Sequence, residues 1–140
     1  MAFADYEYFY HDIRDSKGGV VGRVRALNDG DVSLIWQKHE EALEQVLALA
    51  TGDGAANATA KVIEIALTNF PDLVADVICL ASGEDWDRAI QGVRKMPLGL
   101  KMEALGTIIR MTLESEGGLE KLFGILELMR PARSQNQAAA

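Results

Sequence analysis

Two histidines, His11 and His39, one cysteine, Cys79, and two carboxylate clusters, NDGD at 28–31 and EDWD at 84–87, are the residues of this 140-residue chain whose types and spacing could do chemistry. His39-Glu40-Glu41 begins like the zinc-protease motif HExxH, in which two histidines one turn apart ligate the metal and the glutamate acts as base. The second histidine is replaced by Leu43, so the ligand pair is missing. TGDGAANATAK, residues 51–61, holds glycines and a lysine but departs from the phosphate-cradling pattern GxxxxGK[ST], and no strand is expected before it. NDGD and EDWD lack the alternating ligands, glycine position and closing glutamate of an EF-hand loop. They read more simply as acidic first turns of helices, where the helix dipole favours them. No acid, base and nucleophile set can be assembled, so the expectation is a non-enzymatic protein with no catalytic residue, no metal site and no cofactor.

The elements that must position these residues follow from periodicity. Residues 3–14 are rich in aromatics and 20–27 alternate apolar with basic or small residues, which favours strand in both. DSKGG between them supplies the glycines of a turn, giving a β-hairpin over residues 1–27 whose Arg23 and Arg25 face Glu7 and Asp12. From Asn28 the period becomes helical. Val32, Ile35, Trp36, His39, Leu43, Val46, Leu47 and Ala50 predict a helix over 31–50, and Val62, Ile63, Ala66 and Leu67 the inner side of a second over 58–69. Pro71 suits the first turn of a third, with Leu73, Val74, Val77, Ile78 and Ala81 inward and Cys79 a small buried hydrophobe. Trp86, Ile90 and Val93 trace a fourth. Leu98, Met102, Leu105, Ile109 and Leu113 run down a fifth, and Leu119, Leu122, Phe123, Leu126 and Met129 define a sixth. Gly117-Gly118 between two strong helical periods reads as a helix cap and corner, since a phosphate-binding glycine loop would follow a strand.

The fold class predicted is mainly α: an array of five or six short helices over 28–130 preceded by a small hairpin, forming one domain, with 131–140 a flexible tail. A hydrophobic share of 49% supports a core, and a net charge of −7 argues against a sequence-independent grip on nucleic acid or anionic lipid. No apolar run reaches membrane-spanning length, and the single cysteine fits a reducing compartment. The expected partners are therefore proteins. Met96, Met102, Met111 and Met129 all fall in the C-terminal third, where flexible thioethers suit adaptable contacts; Met102, Met111 and Met129 are the candidate protein-binding residues. Core filling competes with that role, as it does for Trp36 and Trp86.

Three stretches carry a resemblance: VVGRVRALNDGDVSLIWQKHEEAL, FPDLVADVICLASGE and VRKMPLGLKMEALGTIIRMTLESEGGLEKLFGIL. In their order, and in the blocks Pro71-Asp72-Leu73-Val74-Ala75, Pro97-Leu98-Gly99 and Glu116-Gly117-Gly118-Leu119, the chain resembles the tail assembly chaperones, or pre-tape-measure proteins, of long-tailed bacteriophages. These are packing and turn motifs, and they carry over no binding residue. The resemblance implies a non-enzymatic helical protein of the infected host's cytoplasm that escorts the tape measure protein, keeps it soluble and helps recruit tail tube subunits. It implies a longer frameshifted form in many members and leaves homo-oligomer formation open. A helical adaptor or regulator, and a structural tail connector or completion protein, are the alternatives.

Overall fold

The computed structural model describes residues 2–50, 55–117 and 119–129. A two-stranded antiparallel hairpin, β1 (His11–Arg14) and β2 (Val20–Val24), precedes six helices: α1 (Asp29–Ala50), α2 (Ala55–Asn69), α3 (Pro71–Ser82), α4 (Trp86–Lys95), α5 (Leu98–Glu116) and α6 (Leu119–Leu128). The mainly α class and the leading hairpin are as the periodicity predicts. The expected tail, residues 131–140, and the first part of the TGDG break lie outside the described residues.

The first strand is shorter than its aromatic content suggests. Phe3–Asp5 form a single 3-10 turn and pairing begins only at His11, so Tyr6, Tyr8 and Phe9 belong to an exposed arm rather than a strand. β-propensity reports fit to a half-buried pleat, and among the described residues no strand pairs with this segment. The turn is closed by Asp15, whose carboxylate accepts from the backbone N–H groups of Lys17 and Gly19, while Gly18 takes φ +84°. Asp12 stands opposite Arg23, as expected, but a register shift between Ile13 and Arg14 interrupts the ladder. Arg25 faces neither Glu7 nor Asp12; it turns inward, where Asp31 neutralises it.

Ile13 and Val24 point from the hairpin into the main core, which α3 dominates. Leu73 through Cys79, Ala81 and Ser82 are all buried, a helix apolar nearly all round because α1, α2, α4, α5 and β2 pack about it. Full burial contributes about 1.5–3 kcal/mol for each large aliphatic side chain. A smaller cluster joins Val32, Trp36 and Leu47 of α1 to Leu126 of α6, with Met129 against it. Trp36, only 1% exposed, is the core anchor expected; Trp86, at 36%, sits at the surface. On α2 the buried pair is Ile65 and Ala66, with Val62, Ile63 and Leu67 half-buried around it.

The face of α5 departs from the predicted stripe. Leu105 is buried as expected, but its buried companions are Ala104, Thr107, Ile108 and Thr112, whereas Leu98 is 64% and Met102 49% exposed. The large apolar residues suggested one face. Close approach to α3 and the hairpin selects a neighbouring face bearing the smaller side chains, and Thr112 becomes tolerable there because its hydroxyl donates to Ile108 O (2.7 Å) and accepts from Leu27 N (3.0 Å).

Helix ends follow their punctuation. Gly83 and Gly117 adopt the left-handed conformation (φ 71° and 84°) as C-caps of α3 and α5, so the glycine corner is structural; Gly118 lies outside the described residues. A Cβ at Gly83 would lie 2.6 Å from the Tyr10 hydroxyl oxygen. Gly83→Ala is therefore expected to cost about 1–3 kcal/mol through the positive φ and the displaced tyrosine. An unchanged urea midpoint would contradict the cap geometry.

Candidate functional site

Two knots of polar side chains reach the interior and tie elements together. At the start of α1, Asn28 and Asp31 form a reciprocal cap: Asp31 N–H donates to Asn28 Oδ1 (2.8 Å) and Asn28 N–H to Asp31 Oδ2 (2.9 Å). The NDGD cluster thus caps a helix, as its position suggests. Arg25 enters the same knot, donating to Asp31 Oδ2 (2.6 Å), Ala26 O (3.0 Å) and Leu80 O (3.0 Å), with the Tyr8 ring 4.2 Å from its guanidinium carbon. Burial works against the Arg25 charge, but the hydrogen bond and charge of Asp31 outweigh it, and the guanidinium pKa rises above its ordinary value. The knot joins the arm, the hairpin, α1 and the end of α3.

A second knot centres on Asp76, the one acid in the apolar run of α3. His39 Nε2 donates to its Oδ2 (2.6 Å) and Trp86 Nε1 to its Oδ1 (2.8 Å), tying α1 and α4 to α3. α1 kinks at His39, where neither proline nor glycine stands; what marks the residue is this bond. The pair has the composition of a catalytic dyad, but the residues lining the space beside it supply no hydroxyl or thiol. That cavity, ≈20 Å³, is lined by Leu34, Ile35, Lys38, His39, Asp76, Leu80 and Trp86. Cys79 is buried, and burial, followed by the charge of Asp76, pushes its thiol up to about 11, which disfavours the reactive thiolate. His11 is exposed on β1. Among the described residues no group of three or more His, Cys, Asp or Glu could hold a metal, and no helix is long and apolar enough to cross a membrane.

Of the grooves open at the surface, two are mainly apolar and one is mixed. One, of ≈480 Å³ between α2 and α5, is lined by Ile63, Leu67, Leu98 and Met102 among others. A second, of ≈280 Å³, runs between the aromatic arm and α5, lined by Tyr6, Tyr8, Phe9 and Met111 with Glu114. A third, of ≈380 Å³, opens between the hairpin, α4 and the start of α5 and includes Met96. Met102 and Met111 are about 2.5 turns apart on one helix and so point to opposite sides. Met129 is half-buried at the end of α6 against Val32, Trp36, Leu47 and Leu126. The three candidate methionines therefore occupy three separate places. The aromatic arm, with Phe3 fully exposed and Phe9 nearly so, is a surface that periodicity disguised as a strand.

A hairpin-headed array of six helices, with polar knots tying its elements together and grooves open between them, is a mainly α protein. Its family is specific: the profile of the pre-tape measure protein family matches residues 1–140, and the chain belongs to that family. No curated protein and no solved structure matches the chain.

Proposed function

We propose that this protein is a bacteriophage tail assembly chaperone that binds and solubilises the tape measure protein in the host cytoplasm, helps recruit tail tube subunits to it, and catalyses no reaction. The observation that carries the reading is membership of the pre-tape measure protein family along the whole chain. The surface supports it. A long helical partner aggregates through its apolar faces unless these are covered, and grooves bearing Met102 and Met111, beside exposed Leu98 and Phe9, offer flexible apolar contacts of the required kind. Met129 contributes at the rim of the smaller core cluster. Contact points on different sides would let one copy engage more than one partner segment, and many copies along one chain would add avidity.

Co-expression tests this directly. A tape measure fragment that forms inclusion bodies alone is expected to move into the soluble fraction with this protein. The double variant Met102→Glu, Met111→Glu is expected to lose most of that rescue while keeping its melting temperature, since neither side chain is buried. A fragment that stays insoluble with the wild-type protein in excess would sink the chaperone reading.

A further inference from the structure

The groove between the hairpin, α4 and α5 differs from the other two in its charge. Its floor is apolar, drawn from Ile78, Val93 and Leu100, while Arg23 of β2 and Arg88 and Lys95 of α4 stand around it with Glu84 the one carboxylate among the lining residues. From Arg88 to Lys101 the chain places Arg88, Arg94, Lys95 and Lys101 with no Asp or Glu, although the chain as a whole carries −7. Among the described residues none of these four forms an ion pair; the pairs seen there include Arg14 with Asp12 and Arg25 with Asp31. Arg23 rests on the Tyr10 ring, 3.9 Å from its centroid, and makes no ion pair among the described residues. The helix dipole accounts for Arg94 and Lys95 in the last turn of α4. It does not account for Arg88, in the first turn, where a cation is disfavoured, or for Arg23 on a strand.

We propose that this groove docks an acidic amphipathic segment of a protein partner, its carboxylates meeting Arg23, Arg88 and Lys95 and its apolar side chains covering the floor. Resting on the function proposed above, the partner is the tape measure protein. Charge complementarity selects this occupant: unpaired cations beside an apolar floor gain most from carboxylates that arrive attached to apolar groups. A second copy is the poorer fit, because two chains of −7 repel as they approach.

The probe is a fluorescein-labelled synthetic helix of about five turns, leucines on one face and glutamates on the other, used beside a twin in which lysine replaces every glutamate. The glutamate peptide is expected to bind the full chain, more weakly as salt rises, and the lysine twin to bind at least about tenfold less well. Arg88→Glu with Lys95→Glu is expected to reduce glutamate-peptide binding at least about tenfold. Gly92→Leu should obstruct the groove without harm to the fold, since Gly92 lines it, a Cβ there meets nothing within 4 Å, and leucine is the better helix former. Equal binding of the lysine twin, or undiminished binding by both variants at unchanged melting temperature, would overturn the proposal. So would a dimer in sedimentation that Arg88→Glu, Lys95→Glu dissociates, for the occupant would then be a second copy. Co-expression separates the two readings. Rescue that survives Arg88→Glu, Lys95→Glu removes the tape measure protein from this groove and leaves the chaperone function standing, whereas absence of rescue by the wild type removes both.

Discussion

Arg25→Ala is expected to lower stability by about 3–5 kcal/mol, because it leaves Asp31 charged and buried with its main cationic partner gone. At 7% and 6% exposure, neither Arg25 nor Asp31 can turn to solvent for compensation. The loss extends beyond the pair. Arg25 also satisfies the carbonyls of Ala26 and Leu80, and Asp31 is the residue that reciprocates the Asn28 cap of α1. Thermal denaturation followed by far-UV circular dichroism should show the melting temperature falling by about 10–20 °C. Arg25→Lys should recover only part of it, since a single ammonium cannot reproduce the planar fork that reaches Asp31 and Leu80 together. A double-mutant cycle with Asp31→Ala should give strong coupling, with the second substitution costing much less once the first is present. Additive effects, or a melting temperature within experimental error of wild type, would mean that the pair is solvated and the knot is not holding the hairpin to α1 and α3.

Leu105→Asp should be as damaging for a different reason. Leu105 lies in the main core at 4% exposure, and an aspartate there must either bury a charge without a partner or tear α5 from α3. A cost of at least about 4 kcal/mol is expected, enough to leave much of the protein unfolded at ordinary temperature. Leu98→Asp is the informative companion. The large apolar residues of α5 place both leucines on one stripe, yet Leu98 is largely exposed, so its substitution should stay within about 0.5 kcal/mol. Equal damage at the two positions would restore the original stripe and show that α5 is rotated from the face described. Damage at Leu105 alone would confirm the packing of α5 through Ala104, Leu105 and Ile108.

The same face decides which residues remain for partners. Because Ala104 and Thr112 go inward, Leu98 and Met102 are left at the surface beside α2, and Met111 beside the aromatic arm. A swap of inward and outward residues on one helix thus changes the contact surface as much as it changes the core.

By itself the sequence determined the class and order of elements. Apolar spacing marked the helices, DSKGG marked the hairpin turn, Pro71 a helix start, and Gly117 a helix end, because backbone conformation at these points depends on local sterics and hydrogen bonding. It also carried the family, in blocks of packing and turn residues. Only the tertiary structure decided which residues meet. That Asp76 serves both His39 and Trp86, that Arg25 turns inward to Asp31, and that Arg88 and Lys95 of α4 line one groove with Arg23 of the hairpin depend on which faces pack together. Helical periodicity leaves those faces uncertain by a neighbouring residue or two, as α5 demonstrates: a stripe of large apolar side chains and a stripe of small ones lie side by side, and close approach to α3 selects the smaller. The aromatic arm went astray for a related reason. Strand propensity measures how well a side chain suits a covered pleat, and only the assembled fold determines that residues 6–9 find no strand to pair with among the described residues.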